Sequence, residues 1–303
     1  MLDNVFISGG SGLLGLGFAA MDPQGKVTLN LHSRDIVFPS ANLVRLDLFC
    51  SFSLEEALKR LDVKVFIHCA AITDVDYCQS HPEEAFKINC RLPRLLAEIC
   101  SGLGIKFVFI SSDQLFDGEN VIYTEEDPCS PLNIYGETKA KAEESVLKVD
   151  VNSLVIRTNF FGWGTSYRKS FSDFVIEGLA AKKSLTLYDD IFYTPVIRER
   201  LVSVVSNLIS QDCSGIFNVS SDDITSKYVF GQKIAKLFEF DNQYIVQGNS
   251  LNTEFIAPRP RSMALSSTKL CARLGSSVGS TDDFISDLKS QMMSGYKKQI
   301  GEI

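Results

Sequence analysis

The pentapeptide "YGETK" at 135–139 sets a phenol and an amine four residues apart, and upstream the run "FVFISSD" ends in Ser111, Ser112 and Asp113. On a helix, Tyr135 and Lys139 would share one face, one turn apart. A hydroxyl at a strand end followed by such a pair is a usable acid–base set for a carbonyl. Ser112 can orient the oxygen, and Tyr135 can give it a proton. A free tyrosine titrates near pH ~10, and an adjacent ammonium favours the phenolate and is expected to bring that value towards neutrality. The spacing alone settles nothing, because many helices carry such a pair by chance.

Such a set needs a scaffold. Short apolar runs rich in Val, Ile and Phe recur: "NVFISGG", "KVTLNLH", "KVFIHCAA", "KFVFISSD", "SLVIRTN" and "GIFNVSS". Their hydrophobicity is continuous, which predicts strands buried on both faces. Helical patterns lie between them. "SLEEALKRL" has Ser53 as a predicted N-cap and Glu56 completing a capping box. "SHPEEAFKINCRLPRLLAEICSGLG" should run from Ser80 to the glycines at 102 and 104, kinked or divided at Pro93. In "KYVFGQKIAKLFEF", Phe230, Ile234, Leu237 and Phe238 share a face and read as core. The alternation predicts an α/β protein, a Rossmann-like doubly wound parallel sheet with a smaller C-terminal substrate-binding lobe. The expected division is an NAD(P)-binding domain over 1–158, with 190–223 returning to it, and a lobe from 159–189 and 224–303.

The first strand leads into "ISGGSGLLG", where Gly9, Gly12 and Gly15 have G-x-x-G-x-x-G spacing. Glycine there permits a tight turn, close approach to a pyrophosphate and tight helix–strand packing, and the helix N-terminus favours an anion. After the second strand come Ser33 and Arg34, ahead of Asp35. Arginine suits a ribose 2′-phosphate and an acidic side chain suits free hydroxyls. NADP(H) is therefore favoured, with NAD(H) the choice if Asp35 faces the ribose. With a dinucleotide in place, hydride would go to carbon while Tyr135 protonates the developing alkoxide and Lys139 hydrogen-bonds the nicotinamide ribose.

The formal net charge of -7 excludes a general nucleic-acid binder, which needs a basic face. Eight cysteines without a C-x-x-C pair, and only three histidines, predict reduced thiols in a cytoplasmic protein and no metal site. The N-terminal stretch lacks a basic leader and is broken by glycines, so it reads as strand and loop. No apolar run is long enough to span a bilayer.

Seven segments in order, "GGSGLLG", "HCAAITDVDYCQSHPEEAFKIN", "ISSDQLFDG", "YTEEDPCSPLNIYGETKAKAE", "RTNFFG", "YTPV" and "APRPRSMALSSTKL", give the chain a specific resemblance. It resembles the dTDP-4-dehydrorhamnose reductase family of the extended short-chain dehydrogenase/reductase superfamily. The resemblance implies NADPH-dependent reduction of a nucleotide-linked 4-keto-deoxysugar for polysaccharide or glycoconjugate synthesis. It implies Ser112, Tyr135 and Lys139 as the triad, Ser112 standing for the usual threonine. Gly9, Gly12, Leu13, Leu14 and Gly15 would cradle the pyrophosphate, Ser33 and Arg34 the adenosine ribose, Asp47 the adenine, and Ala70 and Ala71 the nicotinamide side. Asp113, Gln114, Asn159 and Arg259 or Arg261 would meet the substrate, the arginines its diphosphate. Asp76 and Asn89 read as hydrogen-bonded scaffold, His68 as a satisfied buried imidazole and Trp163 as core.

The chain departs from the family pattern at Gln114, where tyrosine is usual. That leaves the sugar open. It also disfavours a dehydratase, whose elimination uses an adjacent aspartate and glutamate. The alternatives are a 4-epimerase with a tightly held oxidised cofactor, or a non-catalytic NADP-binding subunit, like the regulatory subunit of methionine adenosyltransferase, with a partner enzyme. A homodimer is compatible with the resemblance.

Overall fold

β1 (Val5–Ser8) and β4 (Val65–His68) lie side by side with every residue buried, as their uninterrupted apolar sequences require. They sit at the middle of a seven-stranded sheet in the computed structural model, which describes residues 4–22 and 24–302. The other strands are β2 (Val27–Asn30), β3 (Asn42–Val44), β5 (Lys106–Ile110), β6 (Leu154–Thr158) and the edge strand Gly215–Val219. Their order is Gly215–Val219, β6, β5, β4, β1, β2, β3, all pairings being parallel. The strand order reverses between β1 and β4, and the crevice at the carboxyl ends there is where doubly wound sheets take ligands.

Two apolar clusters cover the sheet. One gathers Phe6, Phe66, Phe107 and Phe109 with Leu54, Leu58, Leu92 and Leu96. The other gathers Ile7, Leu29, Ile67 and Ile156 with Leu16, Leu201 and the aromatic residues of the later chain. The N-terminal stretch forms β1, a turn and α1 (Leu13–Ala20). Trp163 is core, its indole N–H donating to the Leu288 carbonyl at 2.9 Å. All eight cysteines are free, and no helix among the described residues is long and apolar enough to cross a membrane.

Two helix expectations need correction. α2 (Ser51–Arg60) begins two residues before Ser53, with Cys50 at the cap and no side-chain cap bond. The turn started by Asp47 feeds straight into this helix, so Ser53 falls within its first turn and bonds back to the Cys50 carbonyl at 3.1 Å. The second concerns Pro93. α3 (Val75–Ser80) and α4 (Pro82–Phe86) are followed by a wide π-helical turn at Lys87–Arg91, and only then by α5 (Leu92–Leu103). The irregularity thus lies in the turn just before Pro93, which has no N–H to donate to that turn's carbonyls, while the helical backbone runs on into α5.

The site-bearing helix is α6 (Ile134–Val149). Beyond β6, α7 (Phe171–Ala180), α8 (Arg198–Ser210) and α9 (Lys227–Phe238) build the later chain. A short antiparallel pair, Phe192–Tyr193 against Thr225–Ser226, lies just before α9.

Candidate active site

The turn after β1 requires glycine at position 9. Gly9 has φ +72°, and a Cβ there would lie 2.8 Å from the Ala70 backbone nitrogen. The turn and the exit of β4 are therefore in direct contact, which places Ala70 beside the loop, with Ala71 next in the chain. Gly12 donates its N–H to the Gly9 carbonyl at 2.9 Å and caps α1, which opens at Leu13 and buries Leu14 and Gly15. Backbone N–H groups at a helix start, in a cradle that a side chain would fill, fit a dinucleotide pyrophosphate.

Ser33 and Arg34 lie exposed after β2. The Arg34 guanidinium stacks 4.2 Å from the centroid of Tyr167, whose hydroxyl donates to the Ser11 carbonyl in the glycine turn at 2.9 Å. Asp35 is paired with Arg45 at 2.5 Å. Of the two charged residues, Arg34 is the one joined through Tyr167 to the turn. Asp47 is exposed and accepts from the Phe49 N–H at 2.9 Å, so its carboxylate serves the turn that starts α2.

The acid–base residues meet at the ends of β5 and α6. Asn133 caps α6, its side chain accepting from the Gly136 N–H at 2.9 Å. A Cβ on Gly136 would lie 2.1 Å from the Gln114 carbonyl oxygen, so only glycine lets the first turn of α6 close on the β5 exit. That closure brings Tyr135 against Ser112. Tyr135 is buried with Cys78 and Ala85. Lys139 is buried, donates to the Ile110 carbonyl at 2.7 Å and lies 4.0 Å over the Phe109 ring.

Electrostatics here differ from the expectation. Burial pushes the Tyr135 phenol up to about 12, with Asp113 and Cys78 adding and a hydrogen bond with Ser112 opposing. Burial also brings Lys139 down to about 7 from 10.5, against the pull of Glu143 and Cys69. The lowering expected from the ammonium is absent: burial dominates, and the opposing influence on the phenol is Ser112, not Lys139. His68 is neutral, brought down to about 3 by burial and then by Lys139, and its Nδ1 lies 2.6 Å from the Ser8 hydroxyl. Its Nε2 has no partner among the described residues, so the satisfied imidazole expected from sequence is satisfied there at one nitrogen only.

Asp113 is buried, which raises its carboxyl; the Asn159 amide donates to it at 2.6 Å and opposes that rise. Gln114 accepts from the Asn133 side chain at 3.2 Å, and the same amide reaches the Pro258 carbonyl at 3.0 Å. Arg259 does not offer a free guanidinium. It pairs with Asp76 at 2.9 Å and donates to the Ala257 carbonyl at 3.1 Å, fastening the late loop onto α3. Arg261 is exposed, with no carboxylate partner among the described residues. Asn89 bridges the Ile72 N–H and C=O at 2.8 and 2.9 Å, as scaffold. No cluster of side chains suited to a metal occurs among the described residues.

Two neighbours of Asp113 were not legible as site residues: Tyr193 and Lys227, whose ammonium lies 3.5 Å from the Tyr193 ring centroid. The lysine opens a helix whose apolar stripe reads as core. A cation in the first turn, where the helix dipole disfavours it, was the available signal.

Comparison with known proteins agrees with this architecture. The family described as RmlD substrate binding domain matches residues 3–290. The probable low-salt glycan biosynthesis reductase Agl14 of Haloferax volcanii is 31% identical over 291 residues, covering 94% of this chain and 97% of that protein. The dTDP-4-dehydrorhamnose reductase of Sinorhizobium fredii is 26% identical over 233 residues, 73% of this chain and 78% of that one. The crystal structure of dTDP-4-dehydrorhamnose reductase from Bacillus anthracis in complex with NADP superposes with a TM-score of 0.84 at 21% identity, covering 96% of this chain and 100% of that one. The chain belongs to the dTDP-4-dehydrorhamnose reductase family, NAD(P)-dependent oxidoreductases of the extended short-chain dehydrogenase/reductase superfamily.

Proposed function

We propose that this protein catalyses the NADPH-dependent reduction of a nucleotide-linked 4-keto-deoxysugar. The observation that carries the reading is the closure of Tyr135 on Ser112, through Gly136 and Gln114, in the crevice beside the Gly9 turn. NADPH supplies a hydride when bound; Gly9, Gly12 and the start of α1 would hold its pyrophosphate, and Arg34 its 2′-phosphate. Ser112 orients the substrate carbonyl by hydrogen bonding. Tyr135, kept protonated by burial, holds the proton that the developing alkoxide takes. Lys139, anchored by its bond to the Ile110 carbonyl, keeps a hydrogen-bond donor on the ribose side. Arg261 is the better placed arginine for the nucleotide diphosphate, because Arg259 is committed to Asp76.

The experiment is a panel of nucleotide 4-ketosugars incubated with full-length protein and NADPH. A reductase consumes one NADPH per alcohol formed, and label from the cofactor hydride appears at the new carbinol carbon. Interconversion of the corresponding C4-hydroxyl nucleotide sugars without added reductant would mean an epimerase, and tight NADPH binding with no turnover a non-catalytic subunit.

A further inference from the structure

We propose that Lys227, Tyr193 and Asp113 form a subsite that grips the sugar-ring hydroxyls beside the reacting carbonyl. This rests on the sugar-nucleotide reading above. The Lys227 ammonium lies 3.5 Å from the Tyr193 ring centroid and 4.5 Å from that of Phe171. It makes no hydrogen bond or ion pair with any described residue. Tyr193 is 1% exposed, and its hydroxyl is buried without a hydrogen-bond partner among the described residues. Asp113, next in sequence to Ser112, accepts from Asn159 at 2.6 Å and from Ser112 at 3.2 Å, leaving lone pairs on both oxygens.

These groups feel one another. Burial brings Lys227 down to about 8 against the pull of Asp113, and burial followed by the Asp113 charge raises the Tyr193 phenol. A buried hydroxyl without a partner is rare and unfavourable. A cation in the first turn of α9 is opposed by the helix dipole. Among the described residues the ammonium, held over two aromatic rings, has no acceptor and the Tyr193 hydroxyl has no partner, and both groups lie within electrostatic reach of Asp113.

The chemistry of the missing partner follows from the charges. Cation and carboxylate cancel, so the subsite has no demand for net charge. A phosphate would face Asp113, and an apolar group would leave both donors unmet. Hydroxyl groups accept from Lys227 and Tyr193 and donate to Asp113 together, as a hexose ring does. Selectivity for such groups is strong because their absence leaves buried polar atoms unpaired.

The test is calorimetric titration of the full-length protein with dTDP-, UDP- and GDP-hexoses, each against its bare nucleoside diphosphate. For the tightest pair, the ratio of the two affinities isolates what the sugar contributes. Lys227→Met and Tyr193→Phe should each cut that ratio tenfold or more, with affinity for the bare nucleotide unchanged within about twofold. Tyr193→Phe removes one atom and should leave the melting temperature equal or higher; a clear fall would assign the hydroxyl to the fold and overturn the proposal. Unchanged ratios, or equal losses for sugar nucleotide and bare nucleotide, overturn the subsite but leave the reductase reading intact. Wild-type protein binding none of the ligands overturns both.

Discussion

Glu143 and Arg157 form a salt bridge at 2.8 Å with side chains only 4% and 3% exposed, fastening α6 to β6. Glu143 is one turn beyond Lys139, and its charge helps keep that lysine protonated. The pair therefore links the position of the acid–base helix to the sheet.

Breaking a buried pair strands its surviving charge. Arg157→Met or Glu143→Gln should destabilise the protein by about 3–5 kcal/mol, and Glu143→Leu with Arg157→Met by much less. Urea unfolding of the three variants checks this. Equal losses in all three would show that packing, not charge, dominates.

Lys139 holds a value of about 7 in the folded chain against 10.5 for free lysine. Between these values the unfolded chain binds the extra proton, so stability must rise with pH, by up to about 1.4 kcal/mol per unit. Below the folded value both states are protonated and this slope is absent. Ionisation of unfolded thiols opposes the trend at higher pH, since burial keeps Cys69 up to about 12. The clean window is about pH 7 to about pH 8.5. Unfolding free energies should climb across it in the wild type and climb less in Lys139→Met; equal slopes would exclude this lysine.

Arg34→Ala should weaken NADPH at least tenfold and NADH by less than threefold, about the loss of one charge-assisted contact. Fluorescence titration with both cofactors reads the difference. Equal losses would assign Arg34 to the Tyr167 stack alone.

Arg261→Ala should raise KM for the nucleotide sugar with little change in kcat. Arg259→Ala should instead loosen the loop carrying Ala257, at a cost of about 1 kcal/mol or less, because its pair with Asp76 is partly exposed. Steady-state kinetics and limited proteolysis separate the two; a matching KM effect from both would restore a shared role.

The sheet was legible because β1, β4, β5 and β6 are short, continuously apolar and buried on both faces. The glycine turn and the Tyr135–Lys139 spacing were legible because they are local: one depends on backbone conformation and the other on a single helical turn. Long-range relations were not. Nothing in the string pairs Arg259 with Asp76 or sets Lys227 over Tyr193, since those contacts arise only when the later chain packs on the sheet. The titration of Tyr135 was misjudged for a related reason. Neighbouring charge can be guessed from spacing, whereas desolvation depends on Cys78, Ala85 and Ser112 closing around the ring.

The most direct test compares Tyr135→Phe with wild type in a single-turnover reaction with NADPH and the 4-ketosugar nucleotide that the panel identifies. The account predicts NADPH affinity within about threefold of wild type and a reduction rate lowered by at least about a hundredfold, the usual range for a lost general acid. Reduction at the wild-type rate by Tyr135→Phe would contradict it.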